Sequence, residues 1–238
     1  AYALGDTVTV RDIALRAIRL VLFLALPASI LLGTLSRPIV QLLFQRGNFD
    51  QTSTALTSQA LSFYMLGLAA FAVSEIAVRS FYAMKDTRTP VVIALIAVIT
   101  NIWLAWLFMA RNAGLPGLAS AFSIANTLEA ALLLAIFGRR VGGLGRDFWL
   151  ALGKMLLASV LSYVMISLFI GKMRDILPIF AQNQPYSWPA DFPITFAWVV
   201  LAASFCALVY FAAALVLRMP EIRNLLERMP FRRMRDEA

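Results

Sequence analysis

Long apolar runs alternate with short polar segments along this chain. Six runs are long and apolar enough to cross a bilayer, which takes roughly 20 mostly apolar residues. They cover about residues 17–35, 55–82, 89–110, 116–138, 148–171 and 193–217. The runs are unbroken and lack the alternation of membrane β-strands, so they favour helices over a closed barrel. The pattern therefore predicts an all-α integral membrane protein with six transmembrane helices.

The polar segments predict three further features. Pro27 interrupts the first run and a short apolar stretch at residues 39–44 follows it, which together indicate a kinked span and an interfacial helix. Residues 172–192 are rich in proline and aromatic residues, which is typical of a cap at the membrane interface or of a plain surface loop. Residues 218–238 place apolar side chains at helical spacing among arginines, so a basic amphipathic cytoplasmic tail is expected there.

Composition narrows the class of protein. Hydrophobic residues make up 61% of the chain, charged residues 14%, and the mean hydropathy is +0.79. The sequence has no histidine, which excludes histidine acid–base catalysis and imidazole metal ligands. Its single cysteine, Cys206, lies inside the sixth run and has no partner for a disulfide within the chain. No phosphate-binding glycine loop or nucleophile elbow is present. The sequence thus predicts no enzyme, no cofactor and no metal site.

The basic residues indicate the orientation. If the N-terminal segment is cytoplasmic and the chain crosses six times, 16 of the 21 Lys and Arg residues fall on the cytoplasmic side and five on the other. Because cytoplasmic loops retain positive charge, both ends are expected in the cytoplasm. Membrane topology then accounts for the net charge of +8 without any nucleic acid partner.

Five polar residues inside the runs are candidates for a substrate or cation pathway. Glu75 precedes Arg79 by four positions, which suits an ion pair on one helix face, although Glu75 facing a cavity or a cation is an alternative. Glu129 has no basic residue in helical reach, so it must face a hydrated cavity, bond a neighbouring helix or stay protonated. Asn101 and Asn126 are candidates for the same pathway or for hydrogen bonds between helices.

Two polar turns between the apolar runs have distinctive sequences. One, at residues 43–49, lies on the exported side, and the other, at residues 81–90, lies on the cytoplasmic side. In the second turn Asp86 is placed to cap the next helix and Pro90 suits its first turn, whereas Lys85 is available to anionic headgroups. The motif residues are Phe44, Arg46, Gly47, Phe49, Phe81, Tyr82, Lys85, Asp86, Thr89 and Pro90.

These two turns, together with Asn101 and the Gly-Leu-Pro-Gly-Leu-Ala stretch at residues 114–119, match a known family in order and spacing. They resemble the MurJ/MviN family of lipid II flippases, which belongs to the multidrug/oligosaccharidyl-lipid/polysaccharide exporter superfamily. The resemblance is strong over about residues 11–140, and beyond them only the hydrophobic pattern agrees. It covers the second half of the family pattern alone.

The resemblance implies a fourteen-helix protein of two lobes and a final helix pair, of which this chain holds spans nine to fourteen. Residues 1–140 would form four helices of the C-terminal lobe and residues 141–217 the last helix pair. The implied function is to move lipid II from the cytoplasmic to the periplasmic leaflet of the bacterial inner membrane by alternating access, for cell wall synthesis. The chain would then be a fragment of a longer protein.

The resemblance also implies the partners. They are membrane lipid, an undecaprenyl-pyrophosphate-linked disaccharide pentapeptide as substrate, and the missing N-terminal half, which carries the family's substrate-facing arginines. The polyprenyl tail would lie along a groove near the last two helices. Glu75 and Glu129 depart from the family pattern, which favours a basic or polar residue and an amide at these places. They would serve a coupling cation, respond to the membrane potential, or represent packing variation.

Two other function classes stay open at this point. One is an exporter of the same superfamily for other lipid-linked oligosaccharides or for drugs, which should lack the two paired turn motifs. The other is a membrane scaffold, or an inactive remnant, that presents cytoplasmic arginines to a partner without transport.

Overall fold

A computed structural model describes residues 7–176, 186, 189–219 and 221–222, and all structural statements below concern these residues. Within them the chain forms seven α-helices and no strand. The helices are α1 (Thr7–Thr34), α2 (Ser36–Phe44), α3 (Gln51–Ala83), α4 (Arg88–Ala110), α5 (Gly114–Arg140), α6 (Arg146–Ile176) and α7 (Phe192–Val216).

The predicted set of six spans is confirmed, since α1 and α3 to α7 are each long and apolar enough to cross a membrane. The helices extend beyond the apolar runs because polar residues at the membrane interface continue the backbone hydrogen bonding. The short helix expected at residues 39–44 is α2, which begins earlier, at Ser36. Pro38 lies in its first turn, where a missing N–H costs nothing. In α1 the helix continues through Pro27 and ends at Thr34.

The helix α3 lies at the centre of the fold and packs against α1 on one side and α5 on the other. The α3–α5 contact is close because Gly67 has no side chain where Ser123 approaches. The Ser123 hydroxyl donates to the Phe63 carbonyl oxygen at 2.6 Å, across the same contact. Small residues that let two backbones approach are the usual basis of helix packing in membranes, where lipid is as apolar as the side chains.

The remaining helices pack around this centre. The helix α4 packs mainly against α5, and α6 packs against α1 and α7. The buried core combines residues from α1 and from α3 to α7, among them Phe23, Phe81, Phe137, Phe148 and Tyr210. The last helix pair therefore shares one core with the helices that precede it.

The end of α7 turns back onto the bundle. Arg218 adopts a left-handed conformation with φ +50, and the backbone N–H of Met219 donates to the Ala214 carbonyl at 3.0 Å. Met219 and Ile222 are buried in the common core. The start of the predicted surface tail thus packs on the helices, whereas the rest of it and most of the predicted cap at residues 172–192 lie outside the described residues.

Gly67→Ala tests the α3–α5 contact. The new Cβ would stand 2.7 Å from the Ser123 Cα, so one backbone must move. We expect the free energy of unfolding to fall by about 1–3 kcal/mol, the usual cost of overpacking. Thermal unfolding of the purified protein in detergent measures this change. Gly153→Ala is the matched control, because no atom lies within 4 Å of its new Cβ. Equal melting temperatures for the two variants would contradict the prediction.

Candidate functional site

The helix α3 carries a charged pair inside the membrane span. An Nη of Arg79 lies 3.7 Å from Oε2 of Glu75, so the predicted i,i+4 ion pair is present. Both side chains are exposed at the surface of this chain, 54% for Glu75 and 73% for Arg79. The distance between the two charged groups is long and both side chains are exposed. Carboxylate oxygens and guanidinium N–H groups are therefore available to another partner.

Glu129 approaches this pair from α5. Its side chain is half-buried, and it lies level with Glu75 between two contacts of the packed helices, Gly67 against Ser123 and Phe81 against Phe137. Within the described part of the chain, Glu129 has no ion pair. The structure therefore brings together three of the five pathway candidates, Glu75, Arg79 and Glu129, on one face of the α3–α5 pair.

The two asparagines behave differently. Asn126 is buried, and its Nδ2 donates to the Phe122 carbonyl one turn earlier in the same helix, at 3.0 Å. Asn101, on α4, is partly exposed and makes no side-chain hydrogen bond to the residues that the structure describes. A hydrogen bond between helices is formed instead by Ser123, which the sequence did not single out because serine is common in spans and usually bonds its own helix.

On the cytoplasmic side of the predicted topology, Asp86 closes the turn between α3 and α4. Its Oδ1 accepts from the backbone N–H groups of Arg88 and Thr89, both at 3.1 Å, and its Oδ2 accepts from the Thr89 hydroxyl at 2.6 Å. Asp86 thus accepts from the first N–H groups of α4 as expected, from the position before the N-cap residue Thr87. Pro90 is buried in the first turn. Lys85 has φ +60, a strained value for a residue with a Cβ, and its side chain is exposed.

Arg140, at the end of α5, completes a network that the sequence did not reveal. It donates to Oδ2 of Asp86 and, at 3.0 Å, to the Thr89 hydroxyl. Its guanidinium lies over the Phe81 ring, 5.5 Å from the centroid, and Phe81 meets Phe137 edge to face. Arg140 is 54 positions from Asp86, so no local pattern could have paired them. We name Asp86, Thr89, Arg140 and Phe81 the turn network.

The turn network changes the acidity of Asp86. Hydrogen bonds from the hydroxyl and the backbone N–H of Thr89, followed by the hydrogen bond and charge of Arg140, lower the pKa of Asp86 to about 2. The carboxylate is therefore charged throughout the physiological pH range. Tyr82 and Arg88 remain exposed beside it.

The exported turn is also held by its own motif residues. Phe44 and Phe49 face each other with ring centroids 6.0 Å apart, and Gly47 between them has φ +60. Asp50 caps α3 by accepting from the Ser53 N–H at 2.7 Å, which lowers the pKa of Asp50. Arg46 is exposed. Asp50 and Asp86 with Thr89 therefore hold the starts of α3 and α4, whereas Glu75, Arg79 and Glu129 lie within the spans.

A cavity of about 570 Å³ opens between α1, α3 and α6. Its lining is mostly apolar, with Leu26, Ile30, Met65 and Leu66, and Tyr163 contributes from α6. Among the described residues, no group of three acidic, cysteine or histidine side chains is placed to hold a metal ion.

Comparison with known proteins shows one consistent likeness. The family model for lipid II flippase MurJ matches residues 1–182 of this chain. A probable lipid II flippase MurJ of Rhizobium meliloti (strain 1021) is 41% identical over 132 residues, which cover 56% of this chain and 24% of the relative. The lipid II flippase MurJ of Thermosipho africanus (strain TCF52B) is 35% identical over 118 residues, or 50% of this chain and 25% of the relative.

A solved structure gives the same result. Lipid II flippase MurJ in an inward closed conformation superposes with a TM-score of 0.64 at 26% identity, covering 94% of this chain and 46% of that one. The matched region spans about a quarter of the length of the curated relatives and about half of the solved chain.

Asp86→Asn tests the turn network through its pH dependence. Because folding lowers the pKa of Asp86 from 3.8 to about 2, the carboxylate stabilises the fold fully above the unfolded-state pKa and stops doing so as the pH falls through about 2. We expect the variant to melt below the wild type at neutral pH, and the gap to narrow steadily on acidification below about pH 5. Melting curves at several pH values measure the gap, with Asp12→Asn, an exposed acid on α1, as control. A gap that stays constant down to about pH 3 would rule out this role.

Proposed function

The chain belongs to the MurJ family of lipid II flippases, and from this membership we propose that it forms part of a transporter that moves lipid-linked peptidoglycan precursor across a membrane. The observation that carries the proposal is the match to the family model over residues 1–182, supported by the superposition on a MurJ structure over 94% of the chain. The proposed substrate is an undecaprenyl pyrophosphate that bears a disaccharide pentapeptide.

The proposed mechanism needs a polar path and two access states. A pyrophosphate headgroup is prohibitively unstable in hydrocarbon, so a protein that offers a polar path and alternates its open end suffices for transfer. We assign the face formed by Glu75, Arg79 and Glu129 to the wall of this path. No bond is made or broken in such a cycle, so we propose that the protein is a transporter without enzymatic activity.

The proposed orientation places both ends of the chain in the cytoplasm and the protein in the bacterial inner membrane. It is supported by the distribution of basic residues, with 16 of 21 on one side. The turn network then lies at the cytoplasmic surface, where it binds the α3–α4 turn to the end of α5. We propose that these helix ends move as one body when the inner opening closes.

The proposed division of the chain follows the family architecture. Residues 1–140 are assigned to the C-terminal lobe and residues 141–217 to the last helix pair, with the N-terminal half of the transporter supplying the other lobe and the main headgroup contacts. Phe169 of α6 stacks on Trp198 and Phe205 of α7, with centroids at 5.5 and 4.5 Å. The apolar surface of α6 and α7, and the cavity to which Tyr163 contributes, suit a polyprenyl tail.

Depletion of the full-length protein tests the proposed function. We expect the lipid II that is accessible to an external probe to fall, while lipid II accumulates on the cytoplasmic side. Cells that carry no redundant flippase are required, and re-expression of the wild-type gene is the control. Unchanged external accessibility would refute lipid II transport and leave the exporter and scaffold alternatives.

Glu75→Gln and Glu129→Gln test the assigned face. Both substitutions keep the side-chain shape and remove a charge, so a pathway role predicts reduced lipid II accessibility at normal protein levels in the membrane. Asp12→Asn is the matched control, because Asp12 is an exposed carboxylate on α1. Full activity in both glutamine variants would assign the two carboxylates to packing alone.

A further inference from the structure

Two arginines of α1 hold buried donors that have no acceptor. The Nε atoms of Arg11 and Arg19 are shielded from solvent, and neither forms a hydrogen bond within the described structure. An unsatisfied N–H in such a place is unfavourable, and native proteins almost always supply a partner for it. An acceptor from outside the described chain is therefore expected.

Both guanidinium groups converge on the start of α6. An Nη of Arg11 lies 3.1 Å from the point where a Cβ on Gly145 would stand, so this glycine leaves the space that the arginine fills. The guanidinium of Arg19 lies over the ring of Phe148, 5.9 Å from its centroid. Gly145 immediately precedes α6 and Phe148 lies in its first turn, so the two positive charges flank one junction between α1 and α6.

The nearby acids do not neutralise this junction. Asp12 on α1 and Asp147 in the first turn of α6 are both exposed, whereas Glu221, after α7, is buried and its Oε2 also lacks a partner. None of these three acids forms an ion pair with Arg11 or Arg19 in the described structure. The ring of Phe148 is buried and occupies one face of the Arg19 guanidinium, which leaves the N–H edge as the remaining binding surface.

A third arginine on the same helix shows that the missing acceptor is specific to this junction. Arg16 lies between the other two in sequence, is exposed, and its Nε donates to the Asp12 carbonyl oxygen at 3.1 Å. The arginines of α1 are thus of two kinds, one satisfied at the surface and two that are held against α6 with donors free.

We propose that the junction formed by Arg11, Arg19 and the start of α6 binds the phosphate of an anionic membrane lipid. Arginine presents planar donor pairs that match phosphate oxygens. Leu20 and Leu24, which follow Arg19 along α1, are exposed apolar residues, whereas the exposed residues before it are the charged Asp12 and Arg16 together with Ile13. This change in the exposed surface places Arg19 near the boundary between the hydrocarbon region and the phosphate layer. Basic pockets between helices at this depth are suited to anionic headgroups.

This site is separate from the face assigned to the headgroup path, which lies on α3 and α5. It is also separate from the cavity proposed for the polyprenyl tail, whose lining on α1 starts at Leu26, seven positions after Arg19. It uses resident lipid and needs no substrate movement, so it can exist whether or not the protein transports lipid II. The same phosphate chemistry could come from the lipid II pyrophosphate or from free phosphate, and the experiment must separate these sources.

The test is lipid binding to the full-length protein, measured by native mass spectrometry of the protein in micelles titrated with phosphatidylglycerol, phosphatidylethanolamine, lipid II or inorganic phosphate. We expect wild type to retain phosphatidylglycerol in preference to phosphatidylethanolamine, and Arg11→Gln with Arg19→Gln to weaken this binding by roughly tenfold. Arg16→Gln is the matched control and should bind as the wild type does.

Each other outcome overturns the proposal. Equal retention by all three proteins, or none by the wild type, removes the site. A response to inorganic phosphate alone, or to lipid II alone, assigns the junction to a different ligand. If the double glutamine variant does not fold, Arg11→Lys with Arg19→Lys takes its place, because it retains the charges but loses the planar donor pairs. An unchanged phosphatidylglycerol affinity in that folded variant would also refute the paired-donor site.

Discussion

The close approach of α3 and α5 is the contact on which the other features depend. Helices in a membrane gain little from the hydrophobic effect when they associate, so the distance between their backbones decides how well they pack. Gly67 permits that distance, and the bond from Ser123 to the Phe63 carbonyl fixes it. With the two helices in this position, Glu129 comes level with Glu75, and the end of α5 arrives where Arg140 reaches Asp86.

Features that depend on neighbouring residues were predictable from the sequence. The six spans, the short α2, the Asp86 cap and the Glu75–Arg79 pair each follow from local hydrophobicity, turn chemistry or helical spacing. Helix ends were less well predicted, because helices continue through polar residues at the membrane surface. In α3, the helix begins at Gln51, four positions before the apolar run.

Contacts between distant parts of the chain could not be predicted. In the sequence Arg140 is only one more positive charge at a helix end, yet in the fold it completes the turn network. The Nδ2 of Asn126 bonds a carbonyl of its own helix, whereas Ser123, which carries no distinctive signal in the sequence, forms a hydrogen bond across helices. Hydropathy and charge counts carry no information on which side chain meets which, so these pairings require the fold.

The hydrogen bond between Lys154 and the end of α7 fixes the position of α6 relative to α7 along the helix axes. The Lys154 ammonium donates to the Leu217 carbonyl at 2.9 Å, at the end opposite the Phe169–Trp198 stack. Sliding α6 by one helical turn would displace this group by about 5.4 Å and break the bond. The two helices are thereby pinned near both ends. The two helices can tilt together as one rigid unit, but sliding one along the other would break the contacts at both ends of the pair.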